Sequence, residues 1–145
     1  GVAFVELDQK VEEAAGLPLR EIFELHGEES YRRWEREALE SVLAGGGAAV
    51  LATGGGIVTH ADAYELLRRH AVTVWLRATH EDHWDRVVSQ GDHRPMANDP
   101  LARQRLADLM TRREPLYSTA DHTIDTSGAP VEEGLDRILA VVGTE

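Results

Sequence analysis

The sequence predicts an α/β fold, a parallel sheet flanked by helices. Short apolar segments alternate with segments of helical periodicity, and most of the connections between them are short. Residues 48–52 are all apolar and follow three glycines, which is typical of a strand buried on both faces of a parallel sheet. The chain has 145 residues, of which 42% are hydrophobic, enough for a core. We therefore expect one domain over residues 1–145.

Composition excludes several classes of function. The chain has 15 lysines and arginines against 26 acidic residues, a net charge of −11, so we expect no direct contact with nucleic acid or with an anionic membrane surface. It has no cysteine, which excludes disulfides and thiolate chemistry and is compatible with a cytoplasmic location. No apolar run approaches the roughly 20 residues that span a bilayer, and the first residues lack the features of a signal peptide. These observations predict a soluble protein.

Glycines and hydrophobic periodicity define the elements of the first half of the chain. A β-rich segment ends on two carboxylates, Glu6 and Asp8. Gly16 and Gly27 are placed to end short helices. After Gly27 the apolar positions recur every three to four residues, at Tyr31, Trp34, Ala38 and Val42. The predicted elements are a strand at 2–8, helices at 11–15, 19–25 and 28–43, a strand at 48–52 and a helix at 61–70.

The second half repeats the alternation of strands and helices. Thr79 and Asp82 form a capping-box pattern at the start of a helix. Residues 90–99 are polar, rich in turn-forming residues and long for a connection, so we expect a mobile lid there. The predicted elements are a strand at 72–76, helices at 79–89 and 100–112, a weak strand at 122–125 and a helix with one apolar face at 130–142.

Candidate ligand-binding residues gather where the strands end. In parallel α/β folds, ligands bind beyond the carboxyl ends of the strands. Those ends carry Glu6 and Asp8, then three glycines at residues 54–56, then Arg77. The glycines lack Cβ atoms, so either their backbone N–H groups approach a ligand or they form only a tight corner.

Four charged side chains have two interpretations each. Glu35 lies three residues after Arg32, so it can hold that guanidinium for a ligand carboxylate, or the two form an ordinary surface ion pair. Arg94 in the predicted lid can stabilise developing phosphate charge on closure, or it is a solvated loop residue. Arg113 can clamp an anion, or it is a cation near the end of a helix.

The histidines do not predict a metal site. His80 and His83 lie three residues apart, but no third ligand stands at a metal-binding spacing, and the other histidines, His60 among them, are scattered. The sequence also lacks the Gly-x-Ser-x-Gly and His-Glu-x-x-His motifs, so neither an α/β-hydrolase nor a zincin is predicted.

Several short motifs occur in the order that they have in one enzyme family. They comprise residues 4–8, 21–23, 27–35, 51–56, 94–95 and 113–117. Each motif alone is weak, but the ordered series resembles the shikimate kinases over nearly the whole chain. The resemblance implies a nucleoside-monophosphate-kinase-like fold that transfers the γ-phosphate of ATP, with Mg²⁺, to the 3-hydroxyl of shikimate.

The resemblance also implies an acceptor site. Asp8 would hydrogen-bond the shikimate hydroxyls and act as the catalytic base. Arg32 and Arg113 would bind the shikimate carboxylate, and Glu35 would orient Arg32. The implied lining of the shikimate pocket is Gly54, Gly55 and Gly56.

On the nucleotide side, the resemblance implies roles for three further residues, and the sequence departs from the family pattern in two respects. Arg94 would act catalytically on the transferring phosphate, Arg86 would lie near the nucleotide, and Glu6 stands where the family usually has an aspartate that helps to organise Mg²⁺. The family's Gly-x-x-x-x-Gly-Lys-[Ser/Thr] loop occurs nowhere in the 145 residues. We therefore expect a domain that lacks the first strand, the Walker A loop and the first helix. Such a chain should bind ATP and Mg²⁺ weakly and transfer no phosphate by itself.

A second group of proteins is also similar. Residues 5–8, 31–35, 73–77, 90–96 and 125–128 look like the shikimate-kinase-like C-terminal domains of helix-turn-helix regulators of benzoate degradation. Those domains sense an aryl-CoA, benzoyl-CoA. The resemblance therefore leaves two ligands open, shikimate for an enzyme and benzoyl-CoA for a sensor whose DNA contacts belong to a separate domain.

Overall fold

The computed structural model describes residues 2–89 and 100–143. The chain divides into two compact units, Gly1–Ala71 and Val72–Glu145. Each unit holds a pair of parallel strands together with helices, which confirms the α/β class. The expectation of one domain over the whole chain stays a prediction. The predicted lid at residues 90–99, with Arg94, lies outside the described residues.

Strands and helices alternate in both units. In the first unit the elements are β1 (Ala3–Glu6), α1 (Leu7–Ala15), α2 (Leu19–Ala44), β2 (Ala49–Ala52), a 3-10 helix (Gly55–Thr59) and α3 (Ala61–His70). In the second unit they are β3 (Val74–Arg77), α4 (His80–Ser89), α5 (Ala102–Tyr117), β4 (His122–Asp125) and α6 (Val131–Val142). None of the described helices has both the length and the hydropathy needed to span a bilayer.

The core of the first unit lies where α1 packs against α2. Leu7 and Val11, one helical turn apart on α1, are fully buried, and so are Ile22 and Leu39 of α2. Burying a side chain of this size contributes roughly 1.5–3 kcal/mol. This packing therefore holds in place the two helices that carry the candidate site residues.

The junction between β1 and α1 differs from the prediction. The strand ends at Glu6 rather than at residue 8, and the helix begins at Leu7 rather than at residue 11. The buried face that Leu7 shares with Val11 favours helix here over the local β propensity of residues 2–8. Asp8 consequently lies in the first turn of α1 and not at the end of a strand.

Gly27 interrupts α2. Its φ of +80° and ψ of 173° are not helical, so the break predicted at this glycine is confirmed although the two helices join into one element. A φ in this range is readily adopted only by glycine. After the break, Tyr31, Glu35, Ala38 and Leu39 form the buried face, of which Tyr31 and Ala38 were predicted from the periodicity.

β2 is more exposed than predicted. It pairs with β1 in parallel register, from Ala3 opposite Ala49 to Glu6 opposite Ala52. Val50 of β2 is 57% exposed and Phe4 of β1 is 65% exposed. The expectation of burial on both faces is therefore wrong for the described residues, because they leave apolar side chains of this strand pair uncovered. Within the described residues, β2 also has a hydrogen-bonded neighbour on one edge only.

The second unit is built on the parallel pair of β3 and β4. Val74 lies opposite His122 and Arg77 opposite Asp125. The two strands are also joined at their start, where Oδ2 of Asp121 accepts hydrogen bonds from the backbone N–H (2.8 Å) and the hydroxyl (3.0 Å) of Thr73. The four described strands thus form two parallel pairs, β1 with β2 and β3 with β4.

Two helices of the second unit depart from the prediction. α5 continues to Tyr117 instead of ending at residue 112, because Pro115 removes only its own N–H and Ser118 N–H still donates to the Glu114 carbonyl at 2.9 Å. The apolar face of α6 is largely exposed, with Val131, Leu135 and Leu139 at 85%, 52% and 54%. For α4, one hydrogen bond of the predicted capping box is confirmed: Asp82 N–H donates to Oγ1 of Thr79 at 3.1 Å.

Candidate functional site

Asp8 lies beside the glycine corner that follows β2. A Cβ atom at position 54 would lie 3.4 Å from Oδ2 of Asp8, an ordinary contact distance, so the glycine and the carboxylate are direct neighbours. Gly54 precedes the 3-10 helix that contains Gly55 and Gly56. The corner is held by the buried side chains of Ile57 and Val58. The first unit therefore brings the predicted aspartate and the predicted glycines together.

Arg32 is held by a buried carboxylate. Nη1 of Arg32 donates to Oε1 of Glu35 at 3.0 Å, and the Glu35 side chain is only 1% exposed. The other terminal nitrogen, Nη2, contacts Glu28 at 3.4 Å and Oγ1 of Thr59 at 3.5 Å. Because the Arg32 side chain is 19% exposed, its guanidinium is oriented by Glu35 and is still open to solvent. This pair is not an ordinary surface ion pair.

Tyr31 connects Asp8 with Glu35. Its hydroxyl oxygen lies 2.8 Å from Oδ1 of Asp8 and 3.0 Å from Oε2 of Glu35. Burial raises the pKa of the Tyr31 phenol far above its usual range, and hydrogen bonding to Asp8 and the charge of Glu35 raise it further. The hydroxyl therefore keeps its hydrogen and acts as a donor between two carboxylates.

His60 is the fifth member of this group. It occupies the N-cap position of α3, but its side chain does not cap the helix. Instead, Nδ1 lies 3.3 Å from Oε1 of Glu35, the atom that also accepts from Arg32. Asp8, Tyr31, Arg32, Glu35 and His60 are called the polar cluster below. Their arrangement places a carboxylate for hydroxyl groups and an oriented guanidinium for an anion within one unit.

Comparison with known proteins identifies the family. The family model "Shikimate kinase" matches residues 1–143. The chain belongs to the shikimate kinase family. The shikimate kinase of Nitrobacter winogradskyi is 38% identical over 141 residues, which are 96% of this chain and 64% of that protein. The shikimate kinase of Rhodopseudomonas palustris is 35% identical over 142 residues, which are 98% of this chain and 69% of that protein.

A solved structure extends the similarity to the fold. The shikimate kinase of Acinetobacter baumannii in complex with shikimate superposes with a TM-score of 0.84 at 31% sequence identity. The match covers all of this chain and 81% of that one. The present chain thus spans roughly two thirds of the two sequence relatives and more of this structure. The predicted family membership and shikimate-kinase-like α/β fold are confirmed.

Two further residues assigned by resemblance to this family, Arg86 and Arg113, lie in the second unit. The guanidinium of Arg86 on α4 donates to Thr126, through Nη1 to the hydroxyl at 3.1 Å and through Nη2 to the carbonyl at 2.9 Å. Arg113 lies inside α5 rather than near its end, and its Nε is buried without an acceptor among the described residues. Arg77 lies within β3 and forms an exposed pair with Glu114 at 3.3 Å.

Glu6 is the only residue of the chain for which the family resemblance implies a metal. It ends β1 and is exposed, with no side-chain hydrogen bond to any described residue. No group of three histidine or acidic side chains in the described ranges could hold a metal. Mg²⁺ usually takes one or two carboxylates together with water and phosphate oxygens. Glu6 fits a metal that is shared with a phosphate rather than one held by protein alone.

The sequence did not predict the site roles of two members of the polar cluster. Tyr31 was predicted only as an apolar residue of α2, and His60 was assigned no site role. Tyr31 matched the apolar periodicity of α2, so its ring was predicted and its hydroxyl was not. The position of His60, directly before a helix and four residues after the glycine run, was the available signal. The residue before a helix is usually a small polar one such as serine or aspartate, so a histidine there indicates that its side chain has a partner other than the helix.

Proposed function

We propose that the polar cluster binds the carboxylate and hydroxyl groups of shikimate, as the acceptor half of an ATP:shikimate 3-phosphotransferase. The observation that carries this proposal is the oriented pair of Arg32 and Glu35 beside Asp8. Family membership and the Acinetobacter structure in complex with shikimate support it.

Arg32 is proposed to bind the ligand carboxylate. A guanidinium already oriented by a buried acid loses little rotamer freedom on binding, and partial burial strengthens its ion pair with the ligand. Its Nη2 contacts with Glu28 and Thr59, at 3.4 and 3.5 Å, are long and can be exchanged for ligand oxygens. We assign Arg113 a similar role on the strength of the resemblance and of its buried Nε, which has no acceptor in the described part of the chain.

Asp8 is proposed to accept hydrogen bonds from ligand hydroxyl groups and to act as the general base. Gly54, Gly55 and Gly56 would line the same pocket, since Gly54 lies beside the Asp8 carboxylate. Arg86 is proposed on the nucleotide side and Arg94 as the cation that reaches the transferring phosphate. Glu6 would help to hold Mg²⁺, which with ATP supplies the phosphoryl chemistry in this family.

We infer that the nucleotide phosphates are bound by a segment that is not among these 145 residues. The chain contains no phosphate-loop motif. β2 has an edge that no described strand occupies, and its Val50 side chain is exposed, which would suit a further parallel strand with its own covering segment. This chain should therefore produce no shikimate phosphate from ATP in a coupled assay. A longer polypeptide that includes a phosphate loop should produce it, and turnover by the present chain would contradict the inference.

Arg32→Ala tests the acceptor site. The chain should bind shikimate in a calorimetric titration, and the substitution should weaken binding by at least about 100-fold, the effect of losing an oriented ion pair. Arg36→Ala is the matched control, because Arg36 lies one turn further along α2 and pairs with Glu40 in an exposed contact. Circular dichroism of both variants should show an intact fold. Unchanged shikimate affinity in Arg32→Ala would refute the assignment.

The same titration distinguishes the alternative ligand. If the chain is the effector domain of a helix-turn-helix regulator, it should bind benzoyl-CoA and not shikimate. The motif at residues 31–35 favours this possibility, but it also contains the cluster residues that suit a hydroxylated carboxylate. Benzoyl-CoA carries no free carboxylate, so its binding should not depend on Arg32 in the same way. Tight benzoyl-CoA binding without shikimate binding would reassign the function to sensing.

A further inference from the structure

We propose that Tyr31 is a positioning residue that couples recognition of the ligand hydroxyls at Asp8 to recognition of the ligand carboxylate at Arg32. This inference rests on the proposed function, and it deepens that function by naming a residue that acts through its neighbours. Its basis is the position of one hydroxyl group between two carboxylates, 2.8 Å from Asp8 and 3.0 Å from Glu35.

A tyrosine hydroxyl has one hydrogen, so it donates to one of these carboxylates at a time. Without ligand the shorter contact favours Asp8 as the acceptor. When a ligand hydroxyl donates to Asp8, the Tyr31 hydrogen can rotate towards Oε2 of Glu35. No covalent bond changes, because the step is a rotation about the bond between the ring and the hydroxyl oxygen.

A hydrogen bond from Tyr31 to Glu35 affects Arg32, because the same carboxylate binds both residues. Oε2 of Glu35 faces Tyr31, while Oε1 accepts from Arg32 and also contacts His60. Glu35 is 1% exposed, so no bulk water replaces a missing donor at these oxygens. A hydrogen bond gained by Glu35 from Tyr31 fixes the carboxylate that orients Arg32. Occupation of the hydroxyl subsite thus strengthens the carboxylate subsite.

The Tyr31 ring has a separate, structural role. It is 6% exposed and its centroid lies 4.6 Å from that of Phe23. Phenylalanine at this position would keep the ring packing and lose only the hydroxyl. Tyr31→Phe therefore separates the positioning role from the packing role.

The test compares two ligands in NMR titrations. Shikimate has a carboxylate and three hydroxyl groups, and cyclohex-1-ene-1-carboxylate has the carboxylate alone. Tyr31→Phe should weaken shikimate binding about 10-fold, because the variant loses the coupling between the hydroxyl and carboxylate subsites. It should leave the affinity for cyclohex-1-ene-1-carboxylate unchanged. Tyr64→Phe, outside the polar cluster, is the control and should change neither affinity.

Other outcomes overturn the proposal. Equal weakening of both ligands, or a matching loss of thermal stability, would show that Tyr31 acts only through packing. Unchanged shikimate affinity would show that the hydroxyl positions nothing.

A measurement without ligand separates this inference from the proposed function. The side-chain carboxyl signals of both Asp8 and Glu35 in carbon NMR should shift in Tyr31→Phe and not in Tyr64→Phe. If they do not shift, the link through Tyr31 is wrong whatever the chain binds. If they shift but the wild-type chain binds no shikimate, the link is supported and the proposed function fails.

Discussion

A carboxylate of the first unit and an ion pair of the second unit differ in their exposure to solvent. In the first unit, Glu35 is 1% exposed and lies at the centre of a hydrogen-bonded cluster on α2. In the second unit, the pair of Arg77 and Glu114 has side chains that are 52% and 46% exposed. Water screens the exposed pair and competes for its hydrogen bonds, whereas the buried acid depends on its protein partners. The comparison shows where this chain has a preorganised polar site.

The apolar residues follow the same division. Leu7, Val11, Ile22 and Leu39 of the first unit are fully buried, so the helices that carry the polar cluster rest on a packed core. Among the described residues of the second unit, only Ala102 and Ile124 are buried apolar residues. We expect substitutions to be costly in the first unit and mild in the second.

The largest effect is expected at Leu39. Leu39→Ala should lower the free energy of unfolding by about 3–4 kcal/mol, because it removes apolar contacts and leaves a cavity. The matched substitution Leu139→Ala, at a position that is 54% exposed on α6, should change it by less than about 0.5 kcal/mol. Urea denaturation followed by circular dichroism measures both. Equal costs would break the comparison between the units.

A somewhat smaller effect is expected at Glu35. Glu35→Ala should cost about 3 kcal/mol, because it leaves the partly buried Arg32 without its buried anion and removes the carboxylate that Tyr31 and His60 contact. Glu114→Ala breaks the exposed pair and should cost at most about 1 kcal/mol. The same denaturation curves report both values. A cost at Glu114 as large as that at Glu35 would show that burial does not distinguish the two acids.

The smallest effect is expected at His83 and depends on pH. Burial lowers the pKa of the His83 imidazole, and the charges of Arg86 and His80 lower it further. The unfolded chain therefore binds a proton at His83 more readily than the folded chain, so stability should be lost as pH falls below about 6.5. His83→Gln should reduce this loss between about pH 7.5 and about pH 5.5.

The control for His83 is the same pair of proteins at higher pH. Above about pH 7.5 the imidazole is neutral in both folded and unfolded chains, so the pH dependence of the two proteins should be parallel there. Identical slopes at low pH as well would show that His83 does not contribute.

Much of the candidate site could be predicted from sequence, because its residues lie in short ordered motifs. Asp8, Arg32, Glu35 and Gly54 were all named, and the structure brings them together in the first unit. The bridge through Tyr31 could not be predicted, since the hydroxyl reaches Asp8 across 23 positions of sequence. Periodicity reports which face of a helix is buried and is silent about the partners of a polar atom on that face.

The sequence by itself determined the local features of this protein. The alternation of apolar and amphipathic segments specified the α/β class. Gly27 specified a break in α2, because glycine adopts a positive φ readily whatever packs around it. The tertiary structure decided the features that depend on distant residues. It decided that α1 begins at Leu7, that β2 is exposed and that Glu35 is buried with Tyr31, Arg32 and His60 around it. Burial and hydrogen-bond partners arise when segments far apart in sequence pack together, and no local pattern records them.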